Sequence, residues 1–206
     1  MTTSSNAPIT DDSVLRDGNP GLTALSDPRP GLRVFLAHKR AAFLALRARA
    51  EATPPTGPNL LSASAEAVSR SGVRRIRIRD FQILSDSPED FAGYELGPSS
   101  PELQLGVLSS CLAHTFTIHA ASLQIPLDSI RVEVTGELEP RRGTHGFENA
   151  PIEPHNIAYI VHLSSPAAQE HIDHLFAVVQ QTCPIVNLLQ NPQQLSGSVV
   201  LTPSKI

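Results

Sequence analysis

The spacing of hydrophobic and polar positions changes several times along the chain, and each change predicts an element. Residues 1–30 are rich in Ser, Thr, Pro, Gly and Asp without sustained periodicity, which predicts a flexible tail. From 32 to about 52, apolar residues recur among basic ones at helical spacing, which predicts an amphipathic helix. Thr53-Pro54-Pro55 ends that helix, and a short linker follows it.

Strand patterns follow the linker. Residues 60–69 predict a weak strand, and 73–83 alternate with Ile on one face and Arg on the other. Residues 130–138 alternate in the same way, whereas 156–164 are apolar on both faces and predict an interior strand. A final strand is predicted around 198–201.

Three further helices are predicted between and after these strands. Ser99-Ser100-Pro101-Glu102 can cap a helix and favour its positive end, and that helix runs to about Gln124. Ser165-Pro166 begins a second, which ends at Cys183-Pro184, and a short helix over 184–190 follows. The order of elements predicts an α+β fold with helices on one face of an antiparallel sheet.

Composition narrows the class of protein. The 206 residues are 40% hydrophobic, which excludes wholesale disorder, and no run approaches the ~18 apolar residues of a membrane span. The start of the chain lacks the pattern of a secretory signal, so the cytoplasm is the expected compartment. Five arginines between 70 and 79 suggest a nucleic-acid patch, but a net charge of −4 and 4% aromatics favour an Arg-lined strand face.

The chain has two cysteines, Cys111 and Cys183, 72 positions apart. Two inert, buried thiols are one interpretation, and a redox pair is the other, since structural disulfides are uncommon in the cytoplasm. Cys111 falls midway along the predicted buried helix. Cys183 directly precedes Pro184 at a helix start, where unpaired backbone N–H groups favour a thiolate.

The eight histidines raise the question of a metal site. His171 and His174 share a helix face, and His114 and His119 follow Cys111, but no metal-ligand motif completes either pair. We therefore expect no metal. His114, one turn after Cys111, either perturbs that thiol or is a hydrogen-bonded core histidine, and the second interpretation is favoured.

Three motifs carry a resemblance to a known family. The run Gly97-Pro98-Ser99-Ser100-Pro101-Glu102-Leu103, followed by Cys111, is similar to the helix opening of OsmC/Ohr proteins. Ser85-Asp86-Ser87-Pro88 with Gly93 resembles the preceding connection, and Cys183-Pro184-Ile185-Val186-Asn187 resembles the distal Cys-Pro helix start. The resemblance spans about 60–201, so 58–206 is assigned to an OsmC-like domain and 31–57 to an added helix and linker.

The resemblance implies both a fold and a chemistry. The fold would be antiparallel sheets wrapped around two central helices in an intertwined homodimer. The activity would be a thiol-dependent peroxidase that reduces organic and inorganic hydroperoxides without metal or organic cofactor. Cys111 would be the peroxidatic thiol and Cys183 the resolving thiol, joined in an intrachain disulfide that an external dithiol reduces.

The family also activates its thiolate with an arginine held by a glutamate. Glu102 matches that glutamate, yet it lies nine residues before Cys111 and on another helix face, so it acts through the arginine, from a second subunit, or only at the helix N-terminus. Arg70 best fits the arginine, with Arg74 and Arg75 as competitors. The alternative function is a non-catalytic protein of this fold that binds an apolar ligand or senses redox state.

Overall fold

The computed structural model of the protein describes residues 31–68 and 70–203. The predicted tail, 1–30, lies outside them. In chain order the elements are α1 Gly31–Ala52, β1 Ser64–Ala67, β2 Arg74–Ile78, β3 Phe81–Ser85, α2 Ser100–Leu123, β4 Ser129–Glu137, β5 His155–Ser164, α3 Gln169–Thr182 and α4 Pro184–Gln190. All four predicted helices are present, within a few residues of their expected bounds.

The strands form two antiparallel sheets, which confirms the α+β class. One has three strands in the order β1-β2-β3, and the other pairs β4 with β5. The prediction of one continuous strand over 73–83 is wrong. The backbone turns at Arg79, whose φ of 54° is left-handed, so that Ile78 pairs with Phe81 across a tight hairpin.

Two other strand predictions also fail. Strand β5 is not interior, because its side chains alternate between half-buried and exposed positions, and Ile160 on the outer face is 60% exposed. A two-stranded sheet packed on helices has only one covered face, and an apolar sequence does not change that. Residues 198–201 contain no strand, and Val199 is 92% exposed.

The start of α2 is set by the predicted serine cap and by a close approach of the chain to β3. Ser99 caps the helix and exchanges hydrogen bonds with Glu102 in a capping box, with Pro101 in the first turn. Gly97 brings the chain so close to β3 that a Cβ there would lie 2.4 Å from the Leu84 carbonyl oxygen. Only glycine permits this approach, which joins the end of β3 to the start of α2.

Helix α2 is the centre of the core. The fully buried Leu112 and Phe116 of α2 pack against Leu175 and Val179 of α3, and the two helices also stack Phe116 on Phe176, with ring centroids 6.3 Å apart. The inner faces of β4 and β5 cover the same cluster. Within the described residues, no helix combines the length and apolar content that crossing a bilayer requires.

Helix α1 packs on α2 through its N-terminal half. Leu36 is 5% exposed and joins the core, while Arg33 forms a two-point ion pair with Asp128 at 2.5 and 3.1 Å. Lys39 contacts His114 of α2 at 3.2 Å. The C-terminal half of α1 stays exposed, so the helix is anchored at one end only.

Replacing Leu36 with alanine should therefore lower the free energy of unfolding by about 2–5 kcal/mol, because it removes buried methyl groups and leaves a cavity between α1 and α2. The matched variant Val34→Ala, on the exposed face of the same helix, should cost under about 0.5 kcal/mol. Urea denaturation followed by circular dichroism measures both. Equal effects of the two changes would contradict the packing of α1 described above.

Candidate active site

The structure brings together the two cysteines that are 72 positions apart in the chain. The Sγ atoms of Cys111 and Cys183 lie 3.5 Å apart, and both thiols are free. Cys111 projects from the middle of α2, and Cys183 is the single residue between α3 and α4. A small movement would bring the sulfur atoms to bonding distance, about 2.05 Å.

The position of Cys183 is set by the junction of two helices, which we call the elbow (residues 182–184). Pro184 lacks an N–H group, so it ends α3 and fits the first turn of α4. The Cys183 N–H donates to the Val179 carbonyl at 2.9 Å, and the Cys183 carbonyl accepts from the Asn187 N–H at 3.0 Å. The backbone of Cys183 is thus bonded into both helices, and its side chain is fully buried.

The two thiols differ in access to solvent. Cys111 is only partly buried and packs at the edge of the apolar core, whereas Cys183 has no exposed surface. A molecule arriving from solvent can therefore reach Cys111 first. Cys183 is accessible mainly to Cys111.

The electrostatic balance at Cys111 favours the neutral thiol within one chain. Burial raises its pKa, and neighbouring Cys183 adds to the increase. The backbone N–H of Ile185 and the hydroxyl of Thr115 act in the opposite direction by hydrogen bonding, without restoring the ordinary pKa. The backbone at the N-terminus of α4 thus lowers the pKa of Cys111 rather than that of Cys183. The Cys183 side chain accepts no capping hydrogen bond, contrary to the expectation from sequence.

The three candidate arginines occupy different environments. Arg74 donates to the Gly72 and Asp86 carbonyls and to Ser85 and Ser87, so it braces the hairpin. Arg75 is paired with Glu66 of β1. Arg70 lies exposed in the turn between β1 and β2, with no hydrogen bond or ion pair to the residues that the structure describes. None of the three contacts Cys111 within the described part of this chain.

Glu102 also lies away from the cysteines. Its carboxylate accepts from the N–H and the hydroxyl of Ser99, both at 2.7 Å, and these hydrogen bonds hold its pKa below the usual range. It acts at the N-terminus of α2, one of the three roles left open by the sequence. Among the described residues, it is not in contact with Arg70 or Cys111.

Two contacts near the cysteines are missed by sequence reasoning. Thr115 lies one turn after Cys111, and its hydroxyl donates to the Cys111 carbonyl at 2.8 Å. His119 contacts Thr182, the residue before Cys183, at 2.8 Å. The i, i+4 spacing of Cys111 and Thr115 is a visible signal, whereas nothing in the sequence links His119 to Thr182. In 31–68 and 70–203, no three metal-ligating side chains cluster.

Comparison with known families identifies the class of protein. The model of the OsmC-like protein family matches residues 93–196, half of the chain. The chain therefore belongs to this family, as its cysteine and proline motifs predict. A comparison with curated proteins gives no match.

Solved structures of the same family share the fold. An OsmC like protein from Mycoplasma pneumoniae is 21% identical, with a TM-score of 0.54 over 65% of this chain and 89% of that one. A candidate osmotic stress induced and detoxification response protein from Psychrobacter arcticus is 15% identical, with a TM-score of 0.51 over 65% and 90%. An organic hydroperoxide resistance protein OsmC from Legionella pneumophila is 14% identical, with a TM-score of 0.49 over 66% and 92%.

Replacing Thr115 with valine should raise the pKa of Cys111, because the nearly isosteric side chain lacks the hydroxyl that lowers this pKa. The pH dependence of Cys111 alkylation in a Cys183→Ser background measures this shift, and the alkylation curve should move to higher pH. Thr117→Val removes a hydroxyl that donates to the His114 carbonyl instead, and it should leave the curve unchanged. A curve that does not move in Thr115→Val would remove Thr115 from the site.

Proposed function

We propose that the protein is a thiol-dependent peroxidase that reduces organic hydroperoxides, with Cys111 as the peroxidatic thiol and Cys183 as the resolving thiol. The observation that carries the proposal is the 3.5 Å contact between the sulfur atoms of a partly buried cysteine and a fully buried one. Membership of a family whose solved members include proteins named for organic hydroperoxide resistance supports it.

The first step is attack of the Cys111 thiolate on the peroxide O–O bond. The O–O bond breaks, the sulfur takes the terminal OH and becomes a sulfenic acid, and the alkoxide half takes a proton from solvent and leaves as an alcohol. The Ile185 N–H and the Thr115 hydroxyl stabilise the thiolate that this step requires. Because Cys111 borders the apolar core, an alkyl hydroperoxide should bind beside it better than hydrogen peroxide.

The second step joins the two sulfur atoms. Cys183 attacks the sulfenic acid of Cys111, a disulfide forms, and water leaves. Full burial of Cys183 protects this thiol from direct oxidation by peroxide. An external dithiol then reduces the disulfide by thiol exchange and restores both thiols. The proposal places this cycle in the cytoplasm, where such reductants keep thiols reduced.

A cation is still needed to lower the pKa of Cys111, and we assign it to Arg70. Arg74 donates to the Asp86 carbonyl and Arg75 is paired with Glu66, whereas Arg70 is exposed in the turn between β1 and β2. Because no arginine acts on Cys111 among the described residues of one chain, Arg70 would reach the thiol of a partner subunit. Glu102 would orient that arginine when the two chains assemble.

A homodimer is supported by the apolar surface that one chain leaves uncovered. Phe81 of the three-stranded sheet is 62% exposed, Leu60 before it is 94% exposed, and Leu195 and Val200 near the end of the described chain are 94% and 89% exposed. Burying such residues is favourable by about 25 cal/mol per Å².

Sedimentation should give twice the 22.1 kDa mass of one chain, and a monomer at micromolar concentration would contradict the proposal.

One observation favours a second candidate function. The pKa of Cys111 is raised, and no cation contacts its sulfur within the described residues. A protein of this fold that senses redox state or binds an apolar ligand would need no activated thiolate. Turnover separates the two candidates, because a sensor forms its disulfide slowly and does not consume hydroperoxide repeatedly.

Cys111→Ser should abolish dithiol-dependent consumption of an alkyl hydroperoxide, because it removes the attacking sulfur. Cys183→Ser should retain one rapid oxidation, trapped as the sulfenic acid, but lose turnover through the disulfide. Peroxide consumption, together with mass spectrometry under non-reducing conditions after one equivalent of peroxide, measures both. Full turnover by Cys111→Ser would show that the assignment is wrong.

Arg70→Gln should lower kcat/KM by about 10²-fold, the usual cost of removing one donor to a developing charge. Arg77→Gln is the matched control, since Arg77 is exposed on the same hairpin, and it should retain activity. Both variants should remain dimeric. If Arg70→Gln is as active as the wild type, the activating cation lies elsewhere.

A further inference from the structure

We propose that His119 is a positioning residue that holds the elbow, and with it Cys183, against Cys111. The effect on turnover rests on the proposed peroxidase function. The effect on the disulfide equilibrium does not, because that equilibrium needs only the two thiols.

Hydrogen bonds join the two helices on either side of the elbow to each other, but few polar contacts join them to α2. The Asn187 side-chain amide donates to the Gln181 and Cys183 carbonyls, both at 3.0 Å, and so joins the end of α3 to the start of α4. These hydrogen bonds keep the elbow rigid as a unit. They do not determine where that unit lies along α2.

The contact between His119 and Thr182 supplies such a fixed point. The Thr182 hydroxyl is 2.8 Å from His119 Nε2 and donates its own proton to the Val178 carbonyl at 2.7 Å. With the hydroxyl proton used, Nε2 must be the donor in the contact with Thr182, which assigns the Nε2–H tautomer. Burial lowers the pKa of His119, so the neutral ring is the form present near pH 7.

The apolar contacts between α2 and α3 do not replace this hydrogen bond. Stacking of Phe116 on Phe176 and burial of Leu175 hold the helices together, but such contacts are non-directional and tolerate sliding. A hydrogen bond weakens steeply when its distance or angle changes. His119 therefore fixes the register of α3 on α2 at the residue next to Cys183.

The position of His119 on α2 makes this register act on the thiols. Cys111, Thr115 and His119 are spaced by four residues and form one stripe along the helix. His119 is eight residues, about 12 Å, beyond Cys111 along the axis. The elbow is thus held to α2 at two points, by the histidine at one and by the paired sulfur atoms at the other, and loss of the first lets Cys183 move away from Cys111.

The disulfide equilibrium of the full chain in glutathione buffers tests this inference. His119→Ala should lower the equilibrium constant for disulfide formation about three- to tenfold, as expected for one hydrogen bond, and His119→Gln, which keeps an N–H donor, should recover most of it. His114→Ala is the matched control, because His114 lies on α2 near Cys111 but contacts Lys39 of α1. It should leave the equilibrium unchanged.

A double-mutant cycle that combines His119→Ala with Thr182→Val separates loss of the His119–Thr182 hydrogen bond from a general destabilisation of the packing between α2 and α3. If the two residues act through their hydrogen bond, the second change should cost little once the first is made. Costs that simply add, or an equilibrium in His119→Ala within twofold of the wild type, would overturn the inference. Circular dichroism and cooperative unfolding confirm that each variant is folded. If His119→Ala does not fold, Thr182→Val carries the test, because it removes the other partner of the hydrogen bond and should cause the same loss of about three- to tenfold.

A kinetic measurement with peroxide gives the same test in the proposed cycle. In His119→Ala, the rate of sulfenic acid formation at Cys111 should stay the same. The lifetime of the sulfenic acid should increase about three- to tenfold, the effect expected for loss of one hydrogen bond. Equal slowing of both steps would contradict a positioning role. If the wild type consumes no peroxide, the proposed function fails, but the glutathione equilibrium still decides the role of His119.

Discussion

The packing of the α3–α4 elbow on α2 is the contact on which the site depends. It brings Cys183, buried between two helices, to 3.5 Å from Cys111. The driving force is burial of Leu112, Phe116 and the facing residues of α3, since neither cysteine contributes much apolar area of its own. Core packing therefore brings the two cysteines together, and the role proposed for His119 is to fix the register of α3 on α2.

The elbow places three groups at one point of α2. Pro184 ends one helix and begins the next, so Cys183 is held by backbone bonds in both, and the backbone N–H of Ile185, the first in α4, lowers the pKa of Cys111. The same junction thus supplies the second thiol and a donor to the first. Burial works against this donor, because it disfavours the charged thiolate. The thiolate of the proposed peroxidase consequently needs positive charge from outside this arrangement.

In the proposed dimer, the three-stranded sheet of the partner subunit would supply this charge. Its strands pack chiefly on one another, and its apolar side chains, Phe81 among them, remain in solvent. Arg70 lies exposed at one turn of this sheet, whereas Arg74 is used to brace it. An added N-terminal helix, α1, covers another part of α2 through Leu36. Assembly of the proposed dimer would both cover the exposed apolar side chains of this sheet and bring a cation to Cys111.

Local patterns in the sequence were sufficient to predict the four helices, the Ser99 cap and the cysteine motifs, because caps, proline and helical periodicity act within a few residues. They were not sufficient for the hairpin at Arg79, where an alternating pattern continues through a turn, or for the exposed face of β5, which depends on what packs against it. The meeting of Cys111 with Cys183 was one of two interpretations of the cysteine positions, and the family resemblance favoured it. The tertiary structure decided which donor serves which sulfur and which thiol is buried, since both follow from packing between segments distant in the chain.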